Sequence, residues 1–289
     1  MKIFIRTMLI LFLMAGCGGH QPYEQFSEAD LIYHSNDRQL VDSLLEQFKE
    51  ERKSAPGDLM LKVAKALIDT PYEAHTLENG KAEKMVVNLR GVDCTTYVET
   101  CLALTKTIQS KRPSFETFAG HLQTIRYRSG VRDGYLSRLH YFSDWIFDNH
   151  QRGNVEDVSR SIAHILYPNL VNFMSTHPQS YQVLRDHPEL IEELETQETA
   201  ISERMAWYIP KNQLSQWEKS LQDGDIVAIT TMIAGLDVTH TGLVVWIEGR
   251  VHLLHASSVD MKVVISPNTL EEYLNAGRNI TGIMVARPL

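Results

Sequence analysis

The chain has 289 residues, 43% of them hydrophobic, which suits one large or two modest globular domains with a packed core and excludes the disordered and fibrous classes. Its 28 lysines and arginines stand against 36 aspartates and glutamates, which gives a formal net charge of -8. Because such an acidic body repels phosphate backbones, and no basic cluster with interleaved aromatics offsets the charge, nucleic acid is not an expected partner.

The first residues have the layout of an export signal. Lys2 and Arg6 precede an apolar stretch from Met8 to Ala15. That stretch is about half of the roughly 20 residues that a membrane-spanning helix needs, so a cleaved signal fits better than a permanent span. We predict a signal peptide over residues 1–16.

The end of this signal predicts a lipid anchor. Met14-Ala15-Gly16-Cys17 resembles a bacterial lipobox, in which small residues admit the signal peptidase and the cysteine thiol takes a diacylglycerol. The resemblance implies lipidation at Cys17, a tether over residues 17–35, and an exported protein held on a bacterial membrane in the periplasm or cell envelope. The alternative is an ordinary cleaved signal whose cysteine is incidental.

Two helices are predicted ahead of the central motif. Apolar residues recur at helical spacing after Ser35-Asn36, a plausible cap, so the folded body is expected to begin near residue 36. A second helix is predicted from Gly57 to Ile68. It ends before Thr70-Pro71-Tyr72, because the residue before a proline is pushed out of the helical region.

A third helix is predicted to start at or beside Cys94. Its common face is formed by Val98, Cys101, Leu102 and Thr105, which leaves Cys94 at the N-terminus. The helical rise between Cys94 and Cys101 is about 10 Å, whereas a disulfide needs Cα atoms within about 7 Å. Cys94 is therefore predicted to be a free thiol.

The remaining chain changes from helices to strands. Residues 113–216 are predicted to form an insertion of helices and loops, with one helix over Glu189–Met205. The turn signal Asp223-Gly224-Asp225 comes next. Five β-rich runs follow it: Ile226–Thr230, Thr241–Ile247, Val251–Ala256, Lys262–Ile265 and Ile283–Ala286. Helices first and strands last over residues 36–289 predict an α+β domain, with the cysteine helix packed on an antiparallel sheet.

Three side chains in this arrangement suit nucleophilic catalysis. A thiol in the first helical turn lies where unpaired backbone N–H groups and the helix dipole favour the thiolate. It also needs a histidine as base and a third polar group that fixes the ring. His240 opens one predicted strand and His255 closes the next, so the two imidazoles are expected to be neighbours. Each of these residues taken alone also fits a plain core position.

The order of these motifs carries a family resemblance. Asp93-Cys94 starts a helix, His240 precedes Gly242 in a His-x-Gly strand, and His255 closes the following strand. In this the sequence resembles the NlpC-type peptidoglycan hydrolases, a bacterial branch of the papain-like cysteine enzymes. The resemblance implies a papain-like core, Cys94 as nucleophile, His240 as base and His255 as orienting residue, with no cofactor.

Two more segments extend the resemblance. Thr70-Pro71-Tyr72 resembles the family's Pro-Tyr element, which implies that Tyr72 reaches the active site. Leu221-Gln222-Asp223-Gly224-Asp225 resembles its Pro-Gly-Asp turn before the first core strand. The sequence departs from the family at Thr95-Thr96, where Ser-Gly is common, and in the long insertion.

The insertion is similar to one branch of the family. Asn88-Leu89-Arg90 and Ser137-Arg138-Leu139-His140-Tyr141-Phe142 resemble the N-acetylmuramoyl-L-alanine amidase-like branch. That branch implies cleavage between the lactyl group of MurNAc, notably its anhydro form, and L-Ala. The mixture of cations and aromatics predicts that Arg138, His140 and Tyr141 contact a sugar face and a peptide carboxylate. The alternative is that the aromatics are core and the arginines solvated.

Two aspartates stand close to the catalytic motifs. A carboxylate that faces a thiolate raises its pKa, so Asp93 is predicted to bind a substrate amine or backbone N–H groups instead. Asp237, three residues before His240, is predicted to belong to a plain turn.

Other functions stay open on the sequence. The same mechanism fits a γ-D-glutamyl-diamino acid endopeptidase of the stem peptide, and the same groove fits a non-catalytic peptidoglycan-binding lipoprotein. Zinc catalysis is disfavoured and no metal is expected. His252 and His255 are three residues apart on one strand and point to opposite faces, and no His-Glu-x-x-His motif is present.

Overall fold

The computed structural model describes residues 31–78 and 83–289. The predicted signal peptide, Cys17 and most of the predicted tether lie outside the described residues, so the lipid anchor stays a prediction. Within these two ranges, no helix is long and apolar enough to cross a membrane.

The helices in the described ranges differ widely in length. They are α1 Ser35–Gln47, α2 Pro56–Ala66, α3 Cys94–Gln109, α4 Phe115–Arg126, α5 Phe142–Gln151, α6 Ser159–Ala163, α7 Phe173–Thr176, α8 Gln182–Asp186, α9 Ile191–Ser202, α10 Leu214–Trp217 and α11 Leu270–Ala276. The predicted helices correspond to α1, α2, α3 and α9, and α3 starts at Cys94 as predicted. α11 was not predicted.

The first helix is capped one residue earlier than the sequence indicated. The ring of His34 accepts a hydrogen bond from the Asn36 N–H at 3.2 Å, and the Asp37 carboxylate accepts one from the His34 N–H at 2.8 Å. This reciprocal pair replaces the predicted cap at Ser35-Asn36, because an imidazole nitrogen serves as the acceptor that serine or asparagine usually provides.

The strands form a small pair and one large sheet. They are β1 Leu31–Ile32, β2 Met85–Val86, β3 Val155–Asp157, β4 Ile165–Tyr167, β5 Ala206–Pro210, β6 Ile226–Thr231, β7 Val238–Ile247, β8 Arg250–Ser257, β9 Lys262–Thr269 and β10 Ile280–Pro288. β1 and β2 pair in parallel. The large sheet is antiparallel in the order β4-β5-β10-β6-β7-β8-β9, and β3 also pairs with β10.

The insertion contributes strands to this sheet. The prediction that residues 113–216 form helices and loops alone was wrong, because β3, β4 and β5 lie within that range. These strands have three to five residues each. Such runs are too short to show the alternating pattern that marks a longer strand. β3 and β5 pair with β10 at the far end of the chain, and β4 pairs with β5.

Both faces of the sheet are covered. Leu243 and Leu254 pack with α3 residues in one core cluster, whereas Val244 and Leu253 pack with Leu270 of α11 in another. Neighbouring strand residues point to opposite faces, so α3 and α11 lie on opposite sides of the sheet. The α+β class and the packing of the cysteine helix on an antiparallel sheet are thus as predicted.

The predicted turn before β6 is a point of close backbone approach. Gly224 has a φ of +80°, and a Cβ on it would lie 2.1 Å from the Gly57 carbonyl oxygen. The Asp223 carboxylate accepts a hydrogen bond from the Trp246 N–H at 2.7 Å. Only glycine can adopt this left-handed conformation so close to the Gly57 carbonyl. Because Gly57 belongs to the first turn of α2, this close approach fixes the start of α2 against the sheet.

Candidate active site

Cys94 is the first residue of α3, and Asp93 caps the helix. The Asp93 carboxylate accepts a hydrogen bond from the Thr96 N–H at 2.7 Å, and the Thr96 hydroxyl accepts one from the Asp93 N–H at 2.9 Å. This capping box holds the first turn rigid. Helix geometry leaves the N–H groups of Cys94 and Thr95 without an intrahelical carbonyl, so they are available to an anionic oxygen.

The two cysteines of α3 are free thiols in different surroundings. Cys101 is fully buried, and burial raises the pKa of its thiol. Cys94 is only half-buried. The prediction of an unpaired Cys94 thiol is confirmed, and the less buried of the two cysteines is the one at the helix start.

Strand β7 contacts the backbone of Cys94. The Thr241 hydroxyl donates a hydrogen bond to the Cys94 carbonyl oxygen at 2.9 Å. Burial raises the pKa of the Cys94 thiol and the Asp93 charge adds to the rise, whereas hydrogen bonds from Thr241 and Thr95 oppose it. The net rise means that the helix start alone does not make thiolate the resting form.

The two predicted histidines are paired. His240 Nε2 lies 2.6 Å from His255 Nδ1, with the rings almost perpendicular at 85°. Burial, then the neighbouring His255, lowers the pKa of His240 to about 3, and burial lowers the pKa of His255 to about 4. Both imidazoles are therefore neutral near pH 7. One of them donates to the other, and a proton on His240 Nε2 leaves its Nδ1 as a free base.

Gly242 allows the two histidine strands to approach each other. A Cβ at this position would lie 2.8 Å from the Leu254 carbonyl oxygen and 3.0 Å from the His255 Cβ. The glycine of the His-x-Gly motif thus has a packing reason, because any side chain there would displace the residue that contacts His240.

Tyr72 lies beside the segment that leads to Cys94. Its N–H donates to the Met261 carbonyl at 2.9 Å, and its backbone forms a bridge with Val92 just before the nucleophile. Burial raises the pKa of the Tyr72 phenol, and the nearby Cys94 and Asp93 raise it further. The phenol is therefore close to both the thiol and the capping carboxylate.

Sequence reasoning missed Tyr273, on α11. Its ring lies 6.4 Å from the His240 ring and 5.5 Å from the His255 ring, and Cys94 contributes to the raised pKa of its phenol after burial. The signal that was overlooked is the capping box of Thr269 and Glu272, a Thr-x-x-Glu spacing that marks a helix start.

Arg138 is buried and already paired. Its guanidinium lies 3.3 Å from Glu83 and 3.2 Å from Glu78, and it stacks 5.0 Å above the Tyr135 ring. Only 7% of the residue is exposed. Its predicted role in substrate binding stays a prediction, and these carboxylates would have to share the guanidinium with any substrate.

His140 and Tyr141 also lie inside the insertion. His140 Nε2 is 2.9 Å from the Tyr135 carbonyl, and burial lowers the pKa of its ring to about 3. The Tyr141 hydroxyl donates to Glu198 at 2.6 Å and accepts from the Met174 N–H at 2.9 Å. These contacts belong to a core of the insertion, whereas Tyr72 and Asp93 are the predicted binding residues that adjoin the thiol.

Asp237 joins the insertion to the catalytic strand. One carboxylate oxygen accepts a hydrogen bond from the Ser143 N–H in the first turn of α5, and the other accepts from the Val238 N–H, each at 2.7 Å. This buried carboxylate is therefore more than the plain turn residue that was predicted. It ties α5 to β7 three residues before His240.

In the described ranges, no group of three or more His, Cys, Asp or Glu side chains is arranged to hold a metal ion. The ring of His252 is instead 3.0 Å from the Ser266 carbonyl through Nδ1.

Known proteins share this arrangement of elements. The family model described as N-acetylmuramoyl-L-alanine amidase-like matches residues 62–283. The chain is similar to the crystal structure of an N-acetylmuramoyl-L-alanine amidase from Bacteroides uniformis ATCC 8492, with 40% identity, a TM-score of 0.78, and coverage of 81% of this chain and 99% of that one. None of the curated proteins matches this chain.

Two further structures have other descriptions. One from Bacteroides fragilis, described as a xylanase, has 40% identity and a TM-score of 0.75, with 78% of this chain and 99% of that chain covered. A protein from Legionella pneumophila str. Philadelphia 1 has 23% identity and a TM-score of 0.64, with 87% and 95% covered, and shares the fold.

Proposed function

Because the chain belongs to the N-acetylmuramoyl-L-alanine amidase-like family, we propose that it is a cysteine amidase that hydrolyses the bond between MurNAc, or its anhydro form, and L-Ala. Two contacts of β7 carry the proposal. His240 forms a hydrogen bond with His255, and the next residue, Thr241, forms one with the Cys94 backbone. This arrangement supplies a nucleophile, a base and an orienting group.

The first step forms a thioester. His240 Nδ1 takes the Cys94 proton as the sulfur attacks the lactyl carbonyl carbon, and the carbonyl oxygen becomes an oxyanion. The N–H groups of Cys94 and Thr95 at the start of α3 hold that oxyanion. The protonated His240 then gives its proton to the amide nitrogen, the C–N bond breaks, and the stem peptide leaves with a free L-Ala amine.

The second step releases the acid. His240, neutral again, takes a proton from water, whose oxygen attacks the thioester carbonyl. The C–S bond breaks, the sulfur regains its proton from His240, and the muramyl carboxylic acid leaves. His255 accepts a hydrogen bond from His240 Nε2 throughout, which keeps the reacting Nδ1 unprotonated at rest and fixes the orientation of the ring.

A glycosidase mechanism has less support. Glycosidases commonly use two carboxyl groups about 5 to 9.5 Å apart, one as acid and one as base or nucleophile. The carboxylate next to Cys94 is Asp93, and it is engaged in capping α3. The similarity to a protein described as a xylanase therefore does not extend to the chemistry of this site.

A product assay shows which of the candidate bonds the protein hydrolyses. The protein is incubated with MurNAc-peptide, anhydroMurNAc-peptide, sugar-free stem peptide and xylan, and the products are identified by mass spectrometry. We expect release of a stem with a free L-Ala amine from the first two and no product from the others, with Cys94→Ser inactive. Cleavage of the sugar-free stem would instead indicate a γ-D-glutamyl endopeptidase. If no substrate gave a product, the result would favour a non-catalytic peptidoglycan-binding protein.

A further inference from the structure

The histidine pair is part of a cluster of three rings. The Tyr273 ring lies 6.4 Å from the His240 ring with an angle of 24° between the planes, and 5.5 Å from the His255 ring with an angle of 82°. The two histidine rings are 4.8 Å apart at 85°. His240 and Tyr273 are therefore roughly parallel, and each is nearly perpendicular to His255. The three rings come from three different elements, which are β7, β8 and α11.

The three contacts support one another. Flat aromatic rings favour offset-stacked and edge-to-face arrangements, with centroids about 4.5 to 7 Å apart. All three pairs in the cluster have such a distance, and their angles match one or other arrangement. Because His240 takes part in two of the three contacts, a rotation of its ring would weaken both at once.

The hydrogen bond to His255 fixes one atom of the His240 ring more closely than it fixes the ring plane. His240 Nε2 lies 2.6 Å from His255 Nδ1. A hydrogen bond still forms at angles down to about 120°, and the torsion that turns an imidazole about its Cβ–Cγ bond has broad minima. The direction of His240 Nδ1 therefore needs a second contact, and a ring that lies nearly parallel to the imidazole provides one.

The position of Tyr273 is set by a well-anchored helix. Leu270 and Leu274 of α11 are fully buried in the core cluster on this side of the sheet. Tyr273 is three residues after Leu270 and so projects from the same face of the helix. An ion pair of 2.7 Å between Glu271 and Arg250 joins α11 to β8. The tyrosine ring is thus held against the strand that carries His255.

From these observations we propose that Tyr273 is a positioning residue, whose ring holds the plane of His240 and with it the direction of His240 Nδ1. The side chain acts through its ring and not through a charge. Burial raises the pKa of the Tyr273 phenol and the nearby Cys94 raises it further, so the phenol is neutral near pH 7. The use of His240 as a base rests on the proposed amidase function, whereas the effect of the tyrosine ring on the histidine pair does not.

The experiment compares ring removal with hydroxyl removal in the full-length protein. The variants are Tyr273→Leu and Tyr273→Phe, and the control is Tyr33→Leu. Tyr33 is a half-buried tyrosine whose ring packs 5.0 Å from Phe115, away from the three rings. Two quantities are measured. The first is the NMR signal of the ring N–H in the hydrogen bond between the two histidines, assigned by its loss in His255→Ala. The second is kcat and KM on MurNAc-peptide.

Loss of the ring is expected to affect turnover more than binding. In Tyr273→Leu we expect the N–H signal to broaden through exchange with water, and kcat to fall about 10- to 100-fold while KM changes less than about twofold. Tyr273→Phe and Tyr33→Leu are expected to keep the signal and the kcat of the parent. The melting temperature shows whether each variant is folded. Tyr273→Met, which fills the space without a flat ring, replaces Tyr273→Leu if that variant does not fold.

The outcomes distinguish this proposal from the amidase proposal. A parent-like N–H signal and kcat in Tyr273→Leu would overturn the positioning role. Losses as large in Tyr273→Phe would overturn it too, because the hydroxyl would then be the acting group, and equal losses in Tyr33→Leu would reduce the effect to general stability. If the parent released no L-Ala stem while the N–H signal was lost in Tyr273→Leu and kept in Tyr273→Phe, the ring contact would stand and the amidase would be rejected.

Discussion

His255 contacts His240 through a hydrogen bond of 2.6 Å between His255 Nδ1 and His240 Nε2. In the proposed mechanism this bond selects the tautomer of His240 in which Nδ1 is the free base. If His255 only packed against His240, its Nδ1 atom would not matter. The effect of this hydrogen bond can therefore be measured separately from the effect of side-chain packing.

Replacement of His255 by asparagine or alanine tests that role. The asparagine side-chain oxygen occupies about the place of the imidazole Nδ1 and can accept the same bond, whereas alanine cannot. We expect kcat on MurNAc-peptide to fall about 10²- to 10⁴-fold in His255→Ala and to recover about tenfold or more of that loss in His255→Asn. Equal losses of kcat in the two variants would show that His255 acts through packing alone and not through its hydrogen bond.

The protonation states of the three side chains before substrate binds predict an unusual dependence of activity on pH. The pKa of His240 is about 3 and that of His255 about 4, while burial raises the pKa of Cys94 above its ordinary value. His240 is lost as a base only when pH falls through its lowered pKa, and the thiol proton is lost only above the raised pKa of Cys94. Activity should therefore be flat from about pH 5 to 9.

The measurement is kcat/KM on MurNAc-peptide from pH 4 to 10. A loss of activity centred near pH 6.5, the ordinary pKa of histidine, would contradict the neutral resting state. Folding is monitored by circular dichroism over the same range, so that acid unfolding is not mistaken for titration of the base.

At the scale of elements, the start of α3 places the capping residue Asp93 next to the Cys94 thiol. The Asp93 carboxylate stabilises the helix through the Thr96 N–H, and its charge raises the pKa of Cys94. These effects are separable, since an asparagine keeps the hydrogen-bond acceptor and removes the charge.

We expect Asp93→Asn to lower the pKa of Cys94 and to speed its alkylation by iodoacetamide at pH 7, with little change in stability. Asp93→Ala should speed alkylation as well, but should lose about 1 kcal/mol of stability through the missing cap. Alkylation rates across pH and urea unfolding provide the two readouts. If Asp93→Asn were alkylated no faster than the parent, the carboxylate would not act on the thiol.

The spacing of β7 and β8 depends on Gly242. A methyl group there meets the Leu254 carbonyl and the His255 Cβ at 2.8 and 3.0 Å, and both belong to a buried strand. Gly242→Ala is expected to destabilise the fold by about 1 to 3 kcal/mol and to lower kcat by moving His255. Thr239→Ala, at an exposed position of the same strand, is the control, and equal behaviour of the two variants would refute the packing reason.

The elements that sequence could predict are those with local signals. α3 shows an apolar face after Cys94, and β6 to β10 show runs of β-branched residues. α11 follows β9 with a capping signal but only seven residues, and it holds Tyr273. The ion pairs of Arg138 could not be foreseen, because Glu83 is 55 residues away and nothing in either local segment predicts their meeting.

At the scale of the whole molecule, the lipid anchor predicted at Cys17 can be tested by the location of the protein. Cys17 lies ahead of the described residues, and Leu31 starts β1. We expect the parent to fractionate with membranes and Cys17→Ala to be soluble after cell lysis, with equal activity on soluble muropeptides. Membrane fractionation of both proteins would remove the lipoprotein assignment and leave an ordinary export signal.

The sheet itself joins distant parts of the chain. β10 pairs with β3 and β5 of the insertion and with β6 of the core, so the last strand holds the two together. Sequence predicts the core strands but not this closure, because the pairing is decided by contacts between distant residues, such as Val155 and Pro288. The insertion is consequently part of the fold rather than an appended lobe.

The protonated resting thiol of Cys94 has a consequence for the lifetime of the enzyme. Peroxides oxidise thiolates to sulfenic acids far faster than they oxidise thiols. In the proposed mechanism the sulfur loses its proton only when a carbonyl is in place, so it is expected to react slowly with such oxidants between turnovers. We therefore expect peroxide to inactivate the resting protein more slowly than it would a protein with a permanent thiolate.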